Sequence, residues 1–219
     1  MHHLAGKFIV FDGPEGCGKS TQARRLRDDL EAVGVCTELI RDPGTTAIGE
    51  KVRHILLDPA SEDMAARCEM LLFMAARAQM NAERIAPALA DGKCVICDRF
   101  VSSTLAYQLG GDGLSGHEIR QVAAVALRGR LPDLTLLFDL PVEESLVRMR
   151  PKFAVLFDGA QDLGKDRIEQ RPESYHRQVR DNYLKQAQDF PEGYRVLDAR
   201  PGIEVVAARV REVLMAIAD

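Results

Sequence analysis

Directly after an apolar run, Phe8 to Phe11, the chain reads Gly13-Pro14-Glu15-Gly16-Cys17-Gly18-Lys19-Ser20, followed by Thr21. Glycines at this spacing let successive backbone N–H groups close around phosphate oxygens, while the lysine reaches a β/γ-phosphate pair and the hydroxyl holds Mg²⁺. The chemistry is nucleotide phosphate binding. Glu15 is the odd member, since a carboxylate inside an anion-binding loop repels phosphate unless it serves another group. A sugar hydroxyl, a magnesium-bound water or plain solvent would each suit it.

Three further groupings carry chemistry. Asp98-Arg99-Phe100 follows the apolar run Cys94 to Cys97; a carboxylate at a strand end can enter a magnesium shell and an adjacent arginine can grip phosphate. Phe73 and Arg77 stand four apart in a helical stretch, so they share a face. That face either stacks and reads a base, or is a core phenylalanine beside a snorkelling arginine. Ser103-Thr104 reach Tyr107-Gln108 by steps of four and make a polar, aromatic face, although Ser102 or Ser103 would also serve as N-caps.

The elements that must position these groups follow from period and punctuation. Phe8 to Phe11, Cys94 to Cys97, Leu134 to Phe138 and Arg195 to Leu197 read as buried strands, with Cys36 to Ile40 a weaker fifth. Helical stretches fall near 19–33, 46–57, 62–85, 103–109, 116–129, 142–149, 167–189 and 203–217. Strands apolar on both faces and alternating with helices predict an α/β fold, a parallel sheet of about five strands covered on both sides. Function should then sit at the carboxyl ends of the strands. Pro151 to Lys165 mixes glycine, apolar and charged residues without a period and reads as a flap.

Composition sets the outer limits. The 219 residues suit a single α/β domain, 1–219, and 46% apolar with 28% charged residues fits a globular chain. A net charge of −4 gives no basic field to draw in nucleic acid. Twenty-two arginines against seven lysines reflect codon bias or phosphate recognition. Five cysteines form no secreted disulfide framework, and the Cys94/Cys97 pair, three apart in a strand, points to opposite faces. No apolar run is long enough to span a membrane and no signal peptide opens the chain, so a cytoplasmic protein is expected.

Taken in order, these pieces resemble the thymidylate kinase family over nearly the whole chain. Its R-E-P-G-G-T loop appears as Arg41-Asp42-Pro43-Gly44-Thr45-Thr46, with Asp42 for the usual glutamate. Its acceptor helix appears as Leu71 to Gln79, its D-R-[YFH] segment as Asp98-Arg99-Phe100, its P-D-L-T-L-L-x-D-x-P strand as Pro132 to Pro141, and its D-R-x-E as Asp166-Arg167-Ile168-Glu169.

The resemblance implies a P-loop fold with a flap near 150–166 and transfer of the ATP γ-phosphate to dTMP, aided by Mg²⁺ at Ser20 and Asp98. Phe73 would stack on thymine, Arg77 would bond its edge, Thr104 and Gln108 would lie beside it, and Ser103 and Asp42 would line the same pocket. Tyr107 would crowd the place of a ribose 2′-hydroxyl. Glu15 would meet the 3′-hydroxyl or the magnesium shell, Arg99 would hold the acceptor phosphate, and Arg200 would lie near adenine. Because the phosphate-loop position that is basic in some members is Cys17 here, a flap arginine is expected instead: Arg167 first, then Arg150, with Lys152 and Lys165 behind. A homodimer is implied, and a rigid turn at Asp42–Pro43 predicts a cis peptide.

The rivals differ in chemistry. A deoxynucleoside kinase would phosphorylate a neutral hydroxyl and need a carboxylate base. A GTPase-type switch would carry N-K-x-D, which is absent from the chain. A dead, nucleotide-binding relative is disfavoured by the presence of Lys19, Ser20, Asp98 and Arg99.

Overall fold

The computed structural model describes residues 1–149 and 166–217 in full and the backbone of residues 150–154. The expected flap therefore lies, apart from Asp166, outside the fully described residues. So do the side chains of Arg150, Lys152 and Lys165.

Five strands, β1 (Phe8–Asp12), β2 (Thr37–Arg41), β3 (Cys94–Asp98), β4 (Leu134–Asp139) and β5 (Tyr194–Asp198), form one sheet in the order β2-β3-β1-β4-β5. Every pairing is parallel. Side chains alternate between faces along each strand: Phe8 and Val10 of β1 enter one core cluster, Ile9 and Phe11 the other. Cys94 and Cys97 divide between the same two clusters, as their spacing requires. The weak signal over β2 has a plain cause. It is an edge strand in which only Ile40 is buried.

Helices α1 (Lys19–Ala32) and α9 (Ile203–Met215) cover one face through Leu26, Leu30, Val206 and Val210. The opposite face takes α3 (Ala66–Met80), α4 (Ala86–Ala90), α5 (Val101–Tyr107) and α6 (Gly116–Leu127), while α2 (Ala47–Leu57), α7 (Val142–Ala154) and α8 (Glu173–Asp189) complete the chain. Local chemistry sets several starts. Thr46 caps α2 by accepting from Gly49 N at 2.9 Å, and Ser115 and Glu118 form a capping box on α6. The Glu118 carboxyl, bonded by the Ser115 backbone and hydroxyl, is held down at about 2. Ala65 cannot cap α3, so Asp112 reaches across to accept from Ala66 N at 2.8 Å.

Two helical readings need correction. The stretch 167–189 is helical only from Glu173, because Asp166 accepts from the backbones of Ile168 and Glu169 in a turn of its own and Pro172 then takes the N-cap. The stretch 62–85 becomes helical at Ala66 and passes through a π turn, Asn81–Ile85, into α4. Among the described residues no helix is long and apolar enough to cross a membrane.

Candidate active site

The carboxyl ends of β1, β2 and β3 meet, and the sheet's own hydrogen bonding runs on into the loops that leave them. Asp42 N donates to Asp98 O at 2.9 Å, and Arg99 N to Phe11 O at 2.9 Å. Both residues are thereby fixed by backbone. The Asp42–Pro43 peptide is cis, as predicted.

The phosphate loop turns out of β1 through Gly13, where φ is 139° and any Cβ would strike the Phe138 carbonyl oxygen. No other residue fits there. Lys19 folds back over the loop it follows, donating to Pro14 O at 2.7 Å and Gly13 O at 3.1 Å, with its ammonium 3.6 Å from Cys17 Sγ. Cys17 itself is packed in the core, and burial pushes its thiol up against the pull of Lys19. Ser20 Oγ donates to Asp98 Oδ2.

Above this loop lies a cavity of about 570 Å³. Glu15, Lys19, Ser20 and Thr21 line it from the phosphate loop, Asp98, Arg99 and Ser103 from the β3–α5 junction, and Asp42, Phe73, Arg77, Thr104, Tyr107 and Gln108 from β2, α3 and α5. Most residues singled out in the sequence thus share one space. Gly13, Pro14 and Cys17 support the loop from behind it.

Arg99 is the junction of this space. Its φ of 72° is a conformation that few non-glycine residues adopt, and it turns the side chain back toward β1. There NH1 donates to Gly13 O at 3.0 Å, Tyr183 Oη at 3.1 Å and Ser103 Oγ at 3.2 Å, and more loosely to Asp12 at 3.4 Å. NH2 donates to Glu15 and, at 3.4 Å, to Tyr107 Oη. Burial opposes the Arg99 charge, but Glu15 and its other anionic neighbours outweigh it and hold the guanidinium firmly protonated.

Asp12 carries much of this network and was not singled out in the sequence. Fully buried, it accepts from Tyr183 Oη at 2.6 Å, Ser103 Oγ at 2.8 Å, Gly13 N at 2.9 Å and Ser102 Oγ at 2.5 Å. The signal available was a lone carboxylate ending an otherwise apolar strand. Ser102 and Ser103 are accordingly no N-caps; α5 starts at Val101 and both hydroxyls serve Asp12.

Arg77 is buried rather than snorkelling. Its Nε donates to Asp42 Oδ2 at 2.6 Å, NH1 to Thr104 Oγ1 at 2.7 Å and NH2 to Phe100 O at 2.9 Å, with Cζ 5.5 Å from the Phe73 ring centre. Burial raises the Asp42 carboxyl above its ordinary range, with Arg77 pulling the other way. Asp42 Oδ1 and Gln108 Oε1 are buried without a partner among the described residues.

Two expected site arginines stand apart from the cavity. Arg167 is buried beneath it, donating to Glu69 and to Leu56 O at 3.2 Å, because a carboxylate already waits in α3. Arg200 is exposed and paired with Asp198 at 2.9 Å, after the neighbouring strand end. Arg148 lines the cavity instead, braced by the Ala199 and Arg200 carbonyls at 2.9 and 2.8 Å. Arg24, Arg41 and Arg53 add further positive charge to the wall. Arg41 opens the Arg41-Asp42-Pro43 loop but was given no role; Arg24, Arg53 and Arg148 were not singled out, since an arginine in a helix has no motif.

A strand-loop-helix phosphate site on a five-stranded parallel sheet, opening onto an arginine-rich cavity, is the architecture of the P-loop NTPases. A thymidylate kinase family model matches residues 11–210. The thymidylate kinases of Ectopseudomonas mendocina and Pseudomonas putida strain GB-1 are each 43% identical over 216 residues, covering 99% of this chain and 98% of theirs. The crystal structure of thymidylate kinase from Ehrlichia chaffeensis aligns with a TM-score of 0.73 at 28% identity, covering 95% of this chain and 98% of its own. The chain belongs to the thymidylate kinase family.

Proposed function

We propose that this chain transfers the γ-phosphate of ATP to dTMP, giving dTDP and ADP. The observation that carries the reading is the single cavity shared by Lys19 and Ser20 of the phosphate loop, Arg99 at the β3 end, and Phe73 with Arg77 beyond it. One polyanion fits over the loop and a second nucleotide fits with its base toward Phe73. An acceptor phosphate oxygen is already anionic, so transfer needs no general base and reduces to alignment and charge neutralisation.

Lys19 and the loop amides hold the donor phosphates. Arg99, anchored through NH1, offers NH2 to the acceptor phosphate in place of Glu15, and Glu15 is then released to meet the acceptor's 3′-hydroxyl. Arg77, Thr104 and Gln108 meet the base edge, Tyr107 limits space at the sugar, and Arg148 supplies positive charge beside the loop. Mg²⁺ is the expected metal, because Ser20 and Asp98 bring a hydroxyl and a carboxylate together, and this ion commonly takes one or two such oxygens plus phosphate. When bound it neutralises charge on the donor phosphates. Among the described residues no group of three or more His, Cys, Asp or Glu forms a cage of its own.

We further propose a single-domain cytoplasmic homodimer, with a flap over 150–166 and no engagement of nucleic acid or membrane. Steady-state assays of purified protein with ATP and a panel of nucleoside monophosphates test the activity. The expected result is that dTMP is turned over well ahead of purine acceptors; no turnover of dTMP removes the proposal. Light scattering at working concentration tests the dimer.

A further inference from the structure

We infer that Glu69 is a positioning residue that fixes the orientation of the Gln108 amide, so that the site favours pyrimidines carrying a proton on the ring nitrogen. The inference rests on the acceptor reading above and adds how that acceptor's base is told from cytosine.

Glu69 lies in α3 and is 1% exposed. Its Oε1 accepts from Gln108 Nε2 at 2.6 Å, and its Oε2 accepts from Arg167 and, at 3.2 Å, from Arg171. An amide can turn either nitrogen or oxygen toward a neighbour, but an ionised carboxylate only accepts. Both Glu69 oxygens are already taken as acceptors, Oε2 by two guanidinium groups and Oε1 by Gln108 Nε2, so Gln108 presents nitrogen to Glu69. Its oxygen is thereby forced the other way.

That oxygen is Oε1, without a partner among the described residues, in a residue 3% exposed that lines the cavity with Arg77 and Thr104. A buried acceptor left unpaired is costly, and a ligand donor relieves it. Beyond its four protein bonds Arg77 keeps one N–H, on NH2. The wall therefore offers a donor at Arg77 and an acceptor at Gln108. A thymine or uracil edge answers with a carbonyl oxygen and a ring N–H. A cytosine edge presents an amino group and a bare ring nitrogen, mismatched at both places.

Arg167 gains a function on this reading. It stands outside the cavity and holds Glu69 Oε2 in place. A purely packing role for Glu69 would lower turnover of every acceptor alike, whereas an orienting role changes the ratio between acceptors.

The test compares kcat/KM for dUMP and dCMP, which differ only along the edge in question, in the wild type, Glu69→Gln, Gln108→Met and the double variant Glu69→Gln/Arg167→Met. The double variant removes both buried charges, so it does not strand the arginine. Expected is a fall of about 10-fold or more in the dUMP preference in all three variants, with KM for ATP within twofold of wild type. A preference within twofold of wild type in either Glu69 variant overturns the inference while wild-type turnover of dTMP leaves the activity standing. No dTMP turnover by the wild type removes both. Should both Glu69 variants fail to fold, the wild type decides: its ¹⁵N side-chain spectrum should hold a downfield, slowly exchanging amide, with and without dUMP, that Gln108→Met deletes. The absence of that resonance overturns the inference.

Discussion

Arg77 and Asp42 form an ion pair at 2.6 Å with both side chains 1% exposed, at the wall where the acceptor base is proposed to lie. A pair so placed holds the wall rigid and also makes it fragile. Arg77→Ala leaves a buried carboxylate without its cation, which costs about 3–5 kcal/mol; in a chain this long that lowers Tm by roughly 6–20 °C. Acceptor KM should rise while KM for ATP stays within twofold. Asp42→Asn/Arg77→Met, lacking both charges, should regain much of the melting temperature but not acceptor use. Unchanged acceptor kinetics in Arg77→Ala would take Arg77 out of the site.

Lys19 spends its hydrogen bonds on the Gly13 and Pro14 carbonyls, so its ammonium is held over the loop before any ligand arrives. Its replacement should act on transfer more than on folding. Lys19→Met is expected to cut kcat by about 10²–10³-fold, the usual scale for losing one group that stabilises developing charge, with acceptor binding measured by calorimetry unchanged. Ser20→Ala should instead raise the Mg²⁺ concentration needed for half-maximal rate. A Mg²⁺ dependence identical to wild type would reject Ser20 as a metal ligand.

The phosphate loop, the Asp98-Arg99 junction and the helix faces of Phe73/Arg77 and Thr104/Gln108 were readable because each is a local spacing set by backbone geometry. What escaped the sequence is what needs the third dimension. Asp12 is one carboxylate among many until β1 is known to end beneath Arg99. Arg148 is an ordinary helix arginine until α7 is seen to pass the phosphate loop, where a Cβ at Gly16 would sit 3.4 Å from its own. The motif around Arg167 was visible, but nothing in it told that Glu69, 98 positions earlier in the chain, would take the guanidinium.

Cysteine reactivity offers a check on the core that is independent of any nucleotide. Cys17, Cys94 and Cys97 are buried and Cys36 and Cys68 exposed. Burial pushes the Cys94 thiol up to about 12, and raises Cys17 and, far more, Cys97. Thiolate is the reactive form, so these three stay protonated and covered at pH 8. Intact-mass analysis with iodoacetamide should show two fast adducts, and five only after denaturation. A third fast adduct on native protein would contradict the packing of the strand β3 or of the phosphate loop.

We propose for Arg148 the role that the sequence suggested for Arg167, and the two variants should fail in different ways. Among the described residues Arg148 is bonded only to carbonyl oxygens, and it lines the cavity, so Arg148→Ala strands no described carboxylate and should leave Tm within a few degrees. Single-turnover transfer should nevertheless slow by about 10²-fold or more, the scale of a charge aimed at the transferring phosphoryl group. Arg167→Ala leaves Glu69 with Arg171 as its one remaining cation among the described residues and should cost about 3 kcal/mol, seen as a lower Tm and a changed acceptor preference, with the transfer step itself slowed far less. Loss of transfer with an unshifted Tm in Arg167→Ala, beside normal transfer in Arg148→Ala, would return the catalytic role to Arg167.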